Sequence, residues 1–350
     1  MKETHSSEKL FIIACFKDFI GTSRLSEALR RNVSLLEFNW DFVLKTPKLN
    51  RMLPFIAWVL EKNDLLCHLP KNIETTLQTS RQWAEWENRL KMIEFRKLVY
   101  LFKKSHISII PLKGVALTSL VYHETPFRSM GDIDILIKES ESERTKATLL
   151  KVGFEPKKVR NEWHRRLVMK IEGRWSFVRD GMDVDLQWYP AFLVGGKYVA
   201  LDYDRVWARA TTFKPLGENV FMLSSNDQCL HLLFQLLNDL EGGIAQPIQL
   251  LDLALVMHRY GISKAKLFTN AMVYLNPSFE GTLLKMLNTI EKCFFEDAVD
   301  GYFSIEILEF LNKFFKPRSL SMRGFDAVKL LQEGAMQLLK KPYRLSRISV

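Results

Sequence analysis

The run Met130-Gly131-Asp132-Ile133-Asp134-Ile135-Leu136-Ile137 constrains this chain more than any other stretch. Its β-branched residues favour a strand, and in a strand residues i and i+2 project from one face. Asp132 and Asp134 therefore point together, while Ile133, Ile135 and Ile137 point the other way into a core. Two carboxylates this close repel each other unless a cation lies between them. Hard oxygen ligands select Mg²⁺ or Mn²⁺, so the pair reads as half of a phosphoryl-transfer site. Asp-x-Asp recurs at 183/185 and 202/204. The triplet alone therefore decides little, and its surroundings decide the reading.

Upstream, Ile107 to Leu112 reads as a short strand whose Pro111 suits an edge. Lys113-Gly114 follows, then Val115 to Tyr122 as a short helix. A strand, a glycine and a helix start place backbone N–H groups where a polyphosphate fits, and Lys113 offers a cation there. The polar loop from His123 to Ser129 carries Arg128, a second phosphate-ligand candidate. Downstream, Lys138 to Lys151 reads as a charged helix closed by Gly153, and Leu167–Ile171 and Met182–Trp188 read as strands. In the last of these Asp183, Asp185 and Gln187 share one face, with Val184, Leu186 and Trp188 on the other. If that strand lies beside the first, one of its carboxylates completes a three-carboxylate site for two metal ions.

Leu112-Lys113-Gly114, Tyr122, Phe127-Arg128-Ser129-Met130-Gly131-Asp132-Ile133-Asp134-Ile135-Leu136 and Val184-Asp185-Leu186-Gln187-Trp188 together resemble a known family. They are similar to the bacterial nucleotidyltransferase-like proteins of the DNA polymerase β superfamily, in the branch of uncharacterised nucleotidyltransferases. Asn39-Trp40-Asp41, Leu53-Pro54-Phe55 and a helix from Arg81 to Lys104 resemble that family's helical leader. The resemblance spans most of residues 35 to 260, its specific part lying within 105 to 190. It implies an α+β fold with a small mixed sheet, the polymerase-β-type nucleotidyltransferase core, flanked by helical regions at both ends. The expected division is a helical N-terminal region over 1–105, the core over 106–215 and a helical C-terminal region over 216–350.

The same resemblance implies the roles. Asp132 and Asp134 hold Mg²⁺ or Mn²⁺ against the nucleotide phosphates, and Asp185 is the third carboxylate, with Asp183 on the same face as its alternative. Lys113 and Gly114 contact the triphosphate, supported by Arg128. The implied reaction is metal-dependent transfer of NMP from an NTP to a hydroxyl of an acceptor, with release of pyrophosphate. RNA, a protein or peptide, and a small molecule are the open acceptor classes. A non-catalytic nucleotide-binding or accessory relative and a basic RNA-binding module are the alternative readings. The chain carries Gly114-Val115 where the wider superfamily usually has Gly-Ser or Gly-Gly, and Gln187 where the family has His.

The remaining sequence bounds compartment and partners. At 350 residues, with 47% hydrophobic and 26% charged residues, the chain can bury a sizeable core. Its first apolar run, Leu10 to Phe16, is short for a signal peptide, and no stretch approaches the ~20 apolar residues of a membrane span. A cytoplasmic protein without membrane association is expected. Cys15, Cys67, Cys229 and Cys293 are scattered and read as buried free thiols. His231 and His258 fall on expected helices and read as packed, while His123 and His164 lie nearer the expected site. The net charge of +10 is concentrated in 151–179 and 311–350, where a basic surface with Trp163 and Trp175 suits a polyanion. Residues 225–260 read as two helices parted by Glu241-Gly242-Gly243, and Leu283 to Ile290 as another. The helical spacing of Trp83, Trp86, Leu90, Ile93 and Leu98 reads as a core stripe.

Overall fold

A computed structural model describes residues 6–22, 38–122, 127–157, 173–295 and Lys313. The strand expected over Leu167–Ile171, the residues His123, Trp163 and His164, and most of the two basic segments lie outside the described residues. The described helices are α1 (Ser6–Ile20), α2 (Trp40–Lys45), α3 (Leu53–Lys62), α4 (Lys71–Lys104), α5 (Lys113–Leu120), α6 (Ser142–Lys151), α7 (Tyr203–Arg209), α8 (Ser225–Glu241), α9 (Pro247–Tyr260), α10 (Lys264–Met272) and α11 (Glu280–Phe294). The strands are β1 (Ile109–Pro111), β2 (Ile133–Ile137), β3 (Glu155–Pro156), β4 (Arg174–Arg179), β5 (Met182–Gln187), β6 (Ala191–Val194), β7 (Lys197–Ala200), β8 (Thr211–Thr212) and β9 (Phe221–Met222).

Strands β1-β2-β5-β4-β3 form a mixed five-stranded sheet in that order. Only β2 and β5 run parallel; the other pairs are antiparallel. Pro111 sits on edge strand β1, where its missing N–H costs no ladder bond. Two short hairpins, β6-β7 and β8-β9, stand outside the sheet. The helix expected from Lys138 begins instead as a 3₁₀ turn over Glu139–Glu141 before α6. Gly153 then closes α6 at φ +86°, a conformation glycine adopts without Cβ strain.

The strands β1 and β2 are buried on both faces of the sheet, while β3 is exposed and β4 and β5 are partly exposed. On one side Ile133, Ile135, Ile137, Val184 and Leu186 pack with Phe95, Leu98 and Phe102 of α4 and Leu149 of α6. On the other, Leu136, Ile110 and Leu112 join a larger core built by helices from both ends of the described chain. Phe16 of α1 stacks on Phe294 of α11 at 5.6 Å, so the first and last described helices share that core. Beside it, Phe127 is ringed by Phe19, Phe55, Trp58 and Tyr122. This anchors the turn that leads into β2.

Three expectations are corrected. Trp83, Trp86, Leu90 and Ile93 are not core: they are exposed, and α4 buries the opposite face through Ile73, Leu77, Ala84, Phe95, Leu98 and Phe102. Helical spacing identifies an apolar stripe but does not say which of two stripes the fold covers. Cys67 is likewise exposed, in a 3₁₀ turn, whereas Cys15, Cys229 and Cys293 are buried free thiols. His231 is buried on α8 with the Phe192 ring edge-on at 5.3 Å, as expected, but His258 is not packed in the core: it is exposed at the end of α9, with its ring stacked on Phe295.

Candidate active site

Parallel pairing of β2 with β5 sets Asp134 opposite Asp185 in register. Asp132 immediately precedes β2 on the same side of the strand. One carboxylate oxygen from each of Asp132, Asp134 and Asp185 lies within 4.8 Å of the others. Asp134 is buried and its two neighbours are half-buried, so the cluster opens to solvent at one side. Asp183 shares the β5 face but is engaged by the Lys157 ammonium at 2.8 Å.

Three groups fix Asp134. The Lys113 Nζ donates to its Oδ1 at 2.9 Å, and Gln187 Nε2 donates to the same oxygen at 2.7 Å. The backbone N–H of Leu112 donates to its carbonyl. Both side-chain bonds fall on Oδ1, so among the described residues Oδ2 is the oxygen left to a cation. Burial, with repulsion from Asp132 and Asp185, pushes the Asp134 carboxyl up to about 7 against the opposing pull of Lys113. Burial acts to lower the Lys113 pKa, but the three carboxylates outweigh it and raise it. An ammonium drawn into an all-oxygen cluster is a stand-in for a cation. The donor set thus fits Mg²⁺ or Mn²⁺.

The loop between β1 and α5 is built tightly. Lys113 holds φ +46°, uncommon for a residue with a Cβ. A Cβ on Gly114 would come within 2.9 Å of Met130 Cγ and 3.2 Å of Arg128 Nη1, so only glycine fits without displacement. The first N–H groups of a helix lack intrahelical acceptors, and those of α5 begin beside the carboxylates. Val115 is fully buried. Its side chain faces the core, so the lack of a hydroxyl at that position takes nothing from the site.

Arg128 is placed by a partner the sequence did not suggest. Its Nε and Nη2 bond the two oxygens of Asp252 on α9 at 2.8 and 2.6 Å, and Tyr122 Oη donates to Asp252 at 2.7 Å. All three side chains are buried, and the Asp252 charge raises the Arg128 pKa against the effect of burial. The guanidinium is therefore held inside the fold, with Nη1 beside Gly114.

Sequence reading also missed the residues that support the Asp132 loop. Asn88 of α4 donates to the Arg128 carbonyl and accepts from the Met130 N–H, at 2.9 and 3.1 Å, and Lys91 Nζ donates to the Met130 carbonyl at 2.6 Å. Burial lowers the Lys91 pKa. The Arg51 guanidinium lies over Gly131, next to Asp132. Lys157, just after β3, and Arg174 of β4 approach Asp183 and Asp185. The local spacing signals none of these: apart from Arg174 and Asp185, which lie on neighbouring strands β4 and β5, each pairing joins residues far apart in sequence.

Lys113, Lys157, Arg51 and Lys91 thus surround a carboxylate cluster that opens to solvent. That arrangement suits a polyanion carried with divalent cations. Among the described residues no helix is long and apolar enough to cross a membrane. A family model described as uncharacterised nucleotidyltransferase matches residues 37–274, more than half of the chain. No curated protein matches it.

Proposed function

The chain belongs to the uncharacterised nucleotidyltransferase family, and from that premise we propose that it transfers NMP from an NTP to a hydroxyl of an acceptor. The observation that carries this reading is the approach of the Asp132, Asp134 and Asp185 carboxylates to within 4.8 Å, two on the paired strands β2 and β5 and Asp132 just before β2. In the reaction the acceptor oxygen forms a bond to the α-phosphorus, the bond from that phosphorus to the β-phosphate oxygen breaks, and pyrophosphate leaves. The hydroxyl proton passes to a carboxylate of the cluster, Asp185 in this reading, since it is half-buried rather than enclosed.

Asp132, Asp134 and Asp185 hold Mg²⁺ or Mn²⁺, which when bound neutralises phosphate charge and lowers the pKa of the acceptor hydroxyl. The chain's own groups position the rest. Lys113 and the first N–H groups of α5 receive the triphosphate, on a loop that Gly114 lets pack against Met130 and Arg128 by lacking a Cβ. Arg128 supports that loop from behind, fixed by Asp252. Gln187 holds the Asp134 carboxylate in one orientation; an amide does not titrate near neutrality, so its work is positioning and not proton transfer.

The test is transfer of label from a panel of α-³²P NTPs, with Mg²⁺ or Mn²⁺, into a host-cell extract. A variant carrying Asp132→Asn and Asp134→Asn runs alongside. Label with the native chain alone supports the reading, and the labelled fraction identifies the acceptor as RNA, protein or small molecule. Equal label with the variant overturns the carboxylate assignment.

A further inference from the structure

Helix α4 carries a second apolar face that stays largely exposed, with the Lys104 ammonium of the same helix over the Tyr100 ring at 4.5 Å. Trp83, Trp86, Leu90, Ile93 and Tyr100 are between 39% and 60% exposed. At 100° per residue they line the side of the helix opposite its buried stripe. Their spacing, with Lys97 between Ile93 and Tyr100, alternates three and four residues. That is the a/d seam of a coiled coil. Scattered single apolar residues on a surface need no explanation, but a contiguous patch does. These five side chains expose on the order of 600 Å², the upper end of what a monomer shows. With the stems of Lys97, Arg89 and Arg96 added, the face approaches the ~800 Å² per partner of a stable interface.

The seam identifies its own partner, because it is complementary to itself when reversed. Turned end for end about the midpoint between Lys91 and Met92, position 83 meets 100, 86 meets 97 and 90 meets 93. Antiparallel coiled coils stack a layers on d layers in this way. Each match is chemically apt: Trp83 on an aromatic ring, Leu90 on a branched aliphatic, and Trp86 under an ammonium.

We propose that the chain forms a two-fold symmetric dimer through α4, the two helices antiparallel, with Trp83 on the partner's Tyr100, Trp86 on the partner's Lys97 and Leu90 on the partner's Ile93. Arg89 then faces the partner's Arg96 at the flank, with Glu85 bonded to Arg89 at 2.6 Å beside them. Like charges at the rim of an apolar seam give a signature: association tightens as salt rises. Polyanion binding to the same face weakens under those conditions. The inner side of the same turns carries Asn88 and Lys91, which hold the Arg128–Met130 backbone. Pairing therefore stiffens the helix that supports the Asp132 loop. The proposal does not depend on the transfer activity.

The experiment is sedimentation of the full chain at micromolar concentration, at about 0.15 and about 0.5 M salt. A dimer that is stronger at the higher salt, and monomeric when Trp86→Glu or Leu90→Arg is introduced, is the expected result. Both positions are exposed in the single chain, so circular dichroism of the variants should match the native spectrum. The register has its own readout. In a Cys67→Ser background, Leu90→Cys with Ile93→Cys should form an intermolecular disulfide on mild oxidation, whereas Trp83→Cys alone should not. A monomer under all conditions overturns the proposal, as does a dimer indifferent to both seam substitutions. A monomer that instead co-sediments with anionic vesicles or single-stranded RNA through Trp86 overturns it in favour of that other occupant.

Discussion

Asp134 on β2 and Asp185 on β5 are register partners in the one parallel ladder of the sheet. Neighbouring strands stand about 4.8 Å apart, so this pairing holds two carboxylates together without help from any loop. Asp132 joins them from the residue before β2 begins. The like charges are tolerated because Lys113 and Gln187 donate to Asp134.

If Asp132 and Asp185 hold the metal as proposed, Asp132→Asn and Asp185→Asn should each lower nucleotidyl transfer by at least about 10³-fold. The thermal midpoint of the metal-free variants should equal or exceed that of the native chain, because removing one of three repelling carboxylates relieves repulsion. Label transfer and a thermal melt measured on the same preparations check both halves. Native-level transfer by either variant would contradict the assignment.

Asp252→Asn should destabilise the fold by about 3–5 kcal/mol, the cost of stranding a buried charge. Here the stranded charge is Arg128, whose two bonds to Asp252 lie inside the fold. Arg128→Met combined with Asp252→Leu should recover much of that loss. Urea denaturation of Asp252→Asn, and of the cycle formed by the native chain, Arg128→Met, Asp252→Leu and their double variant, provides the measurement. Additive losses would show that the pair is not a unit.

Gly114→Ala should cost about 1–3 kcal/mol of stability, as overpacking does. Its new Cβ meets Met130 Cγ at 2.9 Å and Arg128 Nη1 at 3.2 Å. Because the crowding falls on the loop beside Lys113, kcat/KM for the NTP should fall as well. A companion Met130→Ala makes room on one side, so partial rescue of the melt by the pair tests the steric cause. No change in either quantity would mean that the loop is looser than its packing shows.

His231 makes stability fall with acid. Burial, and secondarily the nearby Lys113 charge, push its imidazole down to about 3, while in the unfolded chain it titrates near 6.5. Between those values the unfolded state binds the extra proton. The stabilising contribution is therefore complete above about pH 6.5 and is lost as pH falls toward 3. His231→Met should flatten the decline in unfolding free energy between about pH 6 and 4 by a few kcal/mol. An unchanged slope in that variant would assign the acid sensitivity to other groups.

The sequence by itself determined the local chemistry. The period of two in Gly131 to Ile137 set Asp132 and Asp134 on one side of a strand and three isoleucines on the other, and the same period put Asp185 and Gln187 on one face of β5. The helix breaks at Glu241-Gly242-Gly243 and the edge position of Pro111 were legible for the same reason, since backbone geometry repeats over a few residues.

What only the tertiary structure decided is which distant residues meet. Parallel pairing chose Asp185 as Asp134's neighbour, while Lys157 took up Asp183. Packing of α9 delivered Asp252 to Arg128 across 124 positions of sequence. The fold also covered one apolar stripe of α4 and left the other, with Trp83 and Trp86, in solvent. Periodicity fixes the direction of a side chain relative to its own element. The order of strands and the docking of helices, which depend on the burial of the whole core, fix what it faces.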